Sequence, residues 1–112
     1  MKKLLTGTLC ALAACGLMNS ASAEEDGFTL KGPAKIAMLY ISPRNDGGWT
    51  QAFDEARQRL ETDIDQKIQY VESVPETASA IKPTVERLIQ RGSNIIIGTA
   101  FGYSDTFKEL AD

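Results

Sequence analysis

The chain has 112 residues, which is enough for one small domain, and a formal net charge of −3. It contains no histidine, and both cysteines, Cys10 and Cys15, precede residue 23, so a histidine-based hydrolase, a zinc site and a thiol enzyme are excluded. Apart from Lys2 and Lys3, ten basic side chains stand against fifteen acidic ones, which excludes nucleic acid as a partner because no basic patch could neutralise its phosphates.

The first 23 residues have the three parts of a secretory signal peptide. Two lysines are followed by an apolar stretch from Leu4 to Met18, and small residues precede Ala23. We expect cleavage after Ala23 and a mature protein in the periplasm or another extracytoplasmic compartment. An alternative stays open, because Leu12-Ala13-Ala14-Cys15 resembles a bacterial lipobox. Cys15 would then carry a lipid, and this anchor would be the protein's attachment to the membrane.

Residues 24–33 are polar, contain two glycines and one proline, and are expected to form a flexible linker. Residues 34–40 are almost continuously apolar, which predicts a strand buried on both faces. After a glycine-rich turn, apolar residues recur at the spacing of one helical face: Trp49, Phe53, Ala56 and Leu60. We expect the charged residues between Asp54 and Arg59 to form the solvated face of this helix.

Residues 66–74 predict a second strand, which Pro75 ends; Glu72 and Glu76 flank this proline, and the sequence identifies no partner for either. A second amphipathic helix follows from the spacing of Ile81, Val85, Leu88 and Ile89. Pro83 is expected in its first turn, because a proline deeper in the helix would interrupt the hydrogen-bond ladder. Gly92 is the expected C-terminal cap.

The third strand is predicted at residues 94–98, where a β-branched run is typical of a fully buried strand. A loop at 98–104 and a third helix beginning around Phe107 follow. The order β-α-β-α-β-α with short connections predicts an α/β fold, a parallel sheet covered by helices on both sides. The chain ends at Asp112 without a cap or stop signal, so we expect it to be the front part of a longer protein.

In open parallel sheets, ligands bind beyond the carboxyl ends of the strands. The loops at 42–49 and 98–105 lie there, and each contains glycines, an aromatic residue and a carboxylate. We expect aromatic side chains from both loops to enclose a flat ring, and carboxylates to accept hydrogen bonds from it. The candidates are Trp49 with Phe101 or Tyr103, and Asp46 or Asp105.

The first of these loops lacks both the glycine spacing of a dinucleotide fingerprint and the Gly-Lys-Ser/Thr of a P-loop. Its carboxylate would also repel a phosphate, so a neutral carbohydrate or nucleoside-like ligand fits better. Structural interpretations stay open for the same residues. Asp46 can belong to a tight turn that caps the helix, Trp49 can belong to the core, and Asp105 can cap the third helix.

Blocks of the sequence, in the right order and with similar spacing, resemble the basic membrane protein family: Ile36–Ile41, Asn45–Gln51, Asp54–Arg57, Tyr70–Glu76, Leu88–Gly92 and Ile96–Asp105. Members of this family are substrate-binding proteins of ABC importers, typically for nucleosides or purine bases. The resemblance covers nearly all of the chain after residue 23. It implies a periplasmic-binding-protein type I fold with two Rossmann-like lobes, of which residues 34–112 would form part of the N-terminal lobe.

The resemblance also implies roles for individual residues. Trp49 corresponds to the aromatic residue that stacks on the base, and Asp46 corresponds to the nearby carboxylate. By their positions in the two loops, further ligand-binding residues are Thr50, Phe101, Gly102 and Asp105. The implied partners are a nucleoside or purine ligand and an ABC permease in the inner membrane, with no catalytic residue and no cofactor.

Three other functions stay open on the sequence alone. The protein could be a ligand-sensing receptor for a membrane signalling protein, or a gene fragment without activity of its own. It could also be a periplasmic enzyme that uses Asp46 and Asp105 as a carboxylate pair, which is disfavoured because no nucleophile, histidine or metal cluster supports that pair.

Overall fold

The computed structural model describes residues 29–112. The expected signal peptide, including Ala23 and Cys15, lies outside the described residues, as does the beginning of the expected linker. Residues 29–35 precede the first strand without helix or strand of their own. Within the described range, the helices are too short or too polar to cross a membrane.

A three-stranded parallel sheet forms the centre of the fold. β1 (Ile36–Leu39) is the middle strand and is flanked by β2 (Gln69–Val71) and β3 (Ile95–Gly98), so the strand order is β2-β1-β3. Met38 is the register partner of Tyr70 on β2 and of Ile97 on β3. The parallel arrangement predicted from the short connections is confirmed.

Among residues 29–112, three helices cover the sheet, and the first two of them connect its strands. α1 (Trp49–Ile64) follows β1, and α2 (Ala78–Gln90) follows β2. A short 3₁₀ turn (Phe101–Tyr103) lies inside the loop predicted after β3 and leads directly into α3 (Ser104–Ala111).

Alternate residues of β1 point to opposite faces of the sheet, and each face has its own apolar cluster. Met38 and Tyr40 face α1, where they pack with Ile68 and, at the margin, with Phe53 and Leu60. The opposite face is covered by α2 and the start of α3, in a cluster that contains Ala37, Leu39, Val74, Ile81, Val85, Leu88 and Tyr103. The predicted three-layer α/β fold is therefore confirmed.

β3 is less buried than predicted. Ile97 is 36% exposed, and the other residues of this strand are partly buried. The prediction of a fully buried strand rested on its β-branched run, but β3 lies at an edge of the described sheet. β2 is also shorter than predicted, because the chain leaves the sheet after Val71 and reaches a left-handed backbone conformation at Ser73 (φ 54°).

The prediction that Pro83 lies in the first turn of α2 is wrong, since the helix begins five residues earlier at Ala78. The proline removes the N–H that would bond to the carbonyl of Ser79. Both Pro83 and Ser79 are exposed, so solvent can satisfy that carbonyl and the helix tolerates the gap.

The predicted glycine cap of α2 is confirmed. Gly92 has φ +98°, a left-handed conformation that glycine adopts at little cost. Its N–H donates to the carbonyl of Ile89 (2.8 Å), and the N–H of Ser93 donates to the carbonyl of Leu88 (3.0 Å). This pair of bonds is a Schellman motif, which satisfies carbonyls at the end of the helix.

α1 buries charged residues where the sequence predicted a solvated face. Asp54 and Arg57 are only 4% and 6% exposed. The guanidinium of Arg57 donates from Nε to Asp54 Oδ1 (2.9 Å) and from one terminal nitrogen to Glu61 Oε1 (2.8 Å). Its Cζ also lies 4.5 Å from the centroid of the Tyr70 ring, within the range of a cation–π interaction.

Further hydrogen bonds complete the environment of Asp54. The Tyr40 hydroxyl donates to Oδ1 (3.1 Å) and the Gln58 amide donates to Oδ2 (2.8 Å). Burial alone would raise the pKa of this carboxyl, but hydrogen bonds from Arg57, Gln58 and Tyr40 outweigh it and hold the pKa below its ordinary value. The buried charges of α1 are thus paired and hydrogen-bonded.

Two tyrosines are expected to make the fold sensitive to high pH. Burial, followed by the hydrogen bond to Asp54, raises the pKa of Tyr40 to about 12. Burial, followed by the negative charge of Glu76, raises the pKa of Tyr103 to about 12. In the unfolded chain these hydroxyls lose their protons near pH ~10. The stability that the two protonated tyrosines contribute is therefore complete below that pH and is lost as the pH rises toward 12.

Tyrosinate absorbance and urea unfolding, followed over the same alkaline range, check this expectation. The free energy of unfolding should fall as the pH rises above about 10, while tyrosine ionisation in the folded protein lags behind that of a model peptide. Full ionisation of the folded protein near the ordinary tyrosine pKa, without loss of stability, would contradict it.

Candidate ligand-binding cleft

Two aromatic side chains meet at the carboxyl edge of the sheet. β1 and β3 are adjacent and parallel, so the loops that follow them lie side by side. Trp49 begins α1 and Phe101 begins the 3₁₀ turn, and their ring centroids are 5.9 Å apart at an angle of 41°. Trp49 is 50% exposed and Phe101 is 85% exposed. The pair therefore presents apolar ring surface to solvent.

The indole of Trp49 is fixed in place by the neighbouring loop. Its Nε1–H donates to the backbone carbonyl of Thr99 (2.7 Å). Its other ring neighbour is Phe53, one turn along α1, at 5.4 Å between centroids. Held at its edge by a hydrogen bond and flanked by Phe53, the indole still has half of its surface exposed.

A shallow cleft of about 240 Å³ adjoins the aromatic pair and is lined by Ile41, Trp49, Glu76, Ala100 and Phe101. A second depression of about 360 Å³ lies along the same pair and is lined by Trp49, Phe53, Gly98, Thr99, Ala100, Phe101 and Ser104. We call the first of these the aromatic cleft. Its lining is apolar except for the carboxylate of Glu76.

Asp46 holds the loop between β1 and α1. Its Oδ1 accepts hydrogen bonds from the N–H groups of Gly48 (2.9 Å) and Gln51 (3.1 Å). Its Oδ2 accepts from the Ser42 hydroxyl (2.6 Å) and the Thr50 N–H (3.1 Å). The Ser42 hydroxyl, and after it the N–H groups of Gly48 and Gln51, hold the pKa of Asp46 well below its usual range. This carboxylate caps the start of α1 and shapes the loop.

The other predicted site residues occupy different positions. Thr50 is fully buried, and its hydroxyl lies 2.6 Å from Ser42 Oγ. It therefore hydrogen-bonds to the loop between β1 and α1 from the protein interior. Asp105 lies in the first turn of α3 with its side chain exposed, 3.5 Å from Lys108 Nζ. The structure thus brings Trp49 and Phe101 together at the aromatic cleft, and the backbone of Gly102 lies behind Glu76, which lines the same cleft.

Glu76 is the residue of the aromatic cleft that the sequence left without a role. Its Oε1 accepts a hydrogen bond from the Gly102 N–H at 2.7 Å. A Cβ atom at Gly102 would lie 2.5 Å from Glu76 Cδ and 2.7 Å from Glu76 Cβ, so this close approach requires glycine. The signal in the sequence was its place after β2, which puts it at the same carboxyl edge as the two predicted loops.

We expect Gly102→Ala to lower the free energy of unfolding by about 1 kcal/mol, because Glu76 must move and the hydrogen bond is lost. Gly32→Ala is the matched control, since a Cβ at Gly32 meets nothing within 4 Å, and its effect should stay within about 0.5 kcal/mol. Urea denaturation of both variants measures the difference. Equal stability of the two would show that the contact with Glu76 contributes nothing.

The described residues contain no group of three or more Cys, Asp or Glu side chains that could hold a metal ion. The chemistry available at the aromatic cleft is stacking by two rings and hydrogen bonding by one carboxylate.

Residues 34–112 match the family model Bmp, described as ABC transporter substrate-binding protein PnrA-like. A purine-binding protein of Brucella abortus is 34% identical over 93 residues, which cover 76% of this chain and 26% of that protein. A proposed ABC transporter glucose-binding protein of Haloferax volcanii is 35% identical over 77 residues, covering 68% of this chain and 19% of that protein.

An ABC transporter system solute-binding protein from Conexibacter woesei has a similar fold, with a TM-score of 0.62 at 22% identity. The match covers 70% of this chain and 26% of that one. The chain therefore spans about a quarter or less of the length of the proteins it matches. The family consists of binding proteins, not enzymes. The match over residues 34–112 shows that the chain belongs to the Bmp family of PnrA-like ABC transporter substrate-binding proteins.

Proposed function

We propose that the protein is the substrate-binding component of an ABC importer and binds a nucleoside or a purine base. The observation that carries the proposal is the exposed pair of Trp49 and Phe101 beside an apolar cleft at the carboxyl edge of the sheet. A purine offers a flat apolar face for stacking, and base–aromatic stacking contributes about 1–3 kcal/mol per base. The similarity to a purine-binding protein supports the same ligand class.

The rings of Trp49 and Phe101 are available to a ligand because both are exposed at the surface of the described residues. A core tryptophan would be covered, whereas Trp49 keeps half of its surface exposed and Phe101 keeps most of it. The described residues provide one wall of a stack. In a two-lobed binding protein the opposing lobe would cover the other face of the ligand and exclude water from it.

The partner and compartment follow from the same proposal. An importer component of this kind works outside the cytoplasm and delivers its ligand to a permease in the membrane. Export through the signal peptide expected at residues 1–23 fits this role, with release after Ala23 or lipid attachment at Cys15. A receptor that presents its ligand to a signalling protein would use the same cleft.

A sugar is the second candidate ligand, because one relative is named as a glucose-binding protein. Aromatic side chains also pack on the apolar faces of sugar rings, and Glu76 would accept a hydrogen bond from a hydroxyl group. A panel of adenine, adenosine, guanosine and glucose therefore tests the proposal. Isothermal titration of the full natural gene product should show binding of a purine or nucleoside and none of glucose. Binding of glucose alone would overturn it.

A further inference from the structure

Glu76 is a charged side chain in an otherwise apolar cleft, beside Ile41 and the aromatic pair. One of its carboxylate oxygens, Oε1, is bound by the Gly102 N–H. Among residues 29–112, no hydrogen-bond donor from the protein lies on its other oxygen, Oε2. The carboxylate is thus anchored through one oxygen and free to accept through the other.

This arrangement fixes the position of the carboxylate. Because a side chain at residue 102 would collide with Glu76, the glycine allows the carboxylate to rest against the backbone of the loop that carries Phe101. An acceptor held in advance loses little conformational freedom when a ligand binds. The nearby Glu72 differs, because it lies outside the lining of the aromatic cleft and accepts the N–H of Arg44 (2.7 Å).

We propose that Glu76 determines the specificity of the aromatic cleft by accepting a hydrogen bond from an N–H group on the edge of the stacked ring. The ligand class that follows is a nitrogen heterocycle with ring or exocyclic N–H donors, such as an aminopurine. This inference rests on the proposed function of the cleft. A ring without donors would cover the carboxylate and leave it without water or a partner, which is unfavourable.

Two probe ligands of similar shape test the inference: adenine, which has ring and amino N–H groups, and 9-methylpurine, which has none. The variant is Glu76→Gln, which keeps an oxygen for the Gly102 N–H but puts an NH2 donor in place of the free oxygen acceptor. The control is Glu72→Gln, outside the aromatic cleft. Isothermal titration of the full natural gene product measures both ligands on all three proteins, and thermal melts verify that each variant is folded.

The wild-type protein should bind adenine at least about tenfold more tightly than 9-methylpurine, since a hydrogen bond to a charged group contributes about that factor. Glu76→Gln should weaken adenine binding by about tenfold and should not weaken 9-methylpurine binding, which stays the same or tightens because no carboxylate is covered, while Glu72→Gln changes neither. If the folded variant binds both ligands as the wild type does, or weakens both equally, the inference is overturned and the proposed function stands. If the wild type binds no purine or nucleoside at all, both are overturned.

Discussion

Replacing Arg57 by leucine is expected to lower the free energy of unfolding by about 3–5 kcal/mol, because it leaves the buried carboxylate of Asp54 without its charged partner. Arg57 pairs with Asp54 and Glu61, and Asp54 and Arg57 are both almost fully buried. The substitution also removes the cation above the ring of Tyr70. Urea denaturation followed by far-ultraviolet circular dichroism of the full natural gene product measures the loss.

Arg59→Leu is the matched control, since Arg59 is exposed on the same helix and its loss should cost no more than about 0.5 kcal/mol. A double variant distinguishes the loss of the ion pair from the cost of leaving a buried carboxylate unpaired. Asp54→Asn combined with Arg57→Leu removes the unpaired charge at residue 54 and should recover part of the stability. Equal effects of Arg57→Leu and Arg59→Leu would mean that the ion pairs of Arg57 contribute nothing to the stability of the fold.

These buried charges show where prediction of the fold from sequence stops. The apolar runs and the short connections were enough to predict the parallel sheet and the helices on both faces, because each is a local property of the chain. The charged residues of α1 have the spacing of a solvated face. Asp54 contacts Tyr40, which directly follows β1, and Arg57 contacts Tyr70 on β2. Only the fold brings these tyrosines to α1.

The candidate site also contains features that local sequence predicts and features that depend on long-range contacts. The two loops and the ring pair of Trp49 and Phe101 follow from the rule that ligands bind at the carboxyl edge of a parallel sheet. Asp46 was open to a structural or a binding interpretation, and four hydrogen bonds within the loop favour the structural one. The place of Glu76 after β2 indicates the carboxyl edge, but its contact with Gly102, 26 residues away along the chain, is not revealed by any local pattern.

Trp49→Ala in the full natural gene product is expected to weaken purine binding by about ten- to a hundredfold, the equivalent of about 1–3 kcal/mol of stacking. The exposed half of the indole lines the aromatic cleft and lies beside Phe101, so its removal deletes one of the two rings. Fluorescence competition or isothermal titration measures the affinity, and a thermal melt of the same sample measures the stability.

Trp49→Phe separates stacking from structural support. A phenylalanine keeps a ring face but cannot donate to the carbonyl of Thr99, so the variant should lose about 1 kcal/mol of stability while it retains most of the affinity. Trp49→Ala should lose both. If Trp49 served only as packing against Phe53, both variants would melt at lower temperature and their folded fraction would bind purine as tightly as the wild type. A well-folded Trp49→Ala protein with unchanged affinity would therefore remove the indole from the site and leave Phe101 as the remaining ring for a ligand.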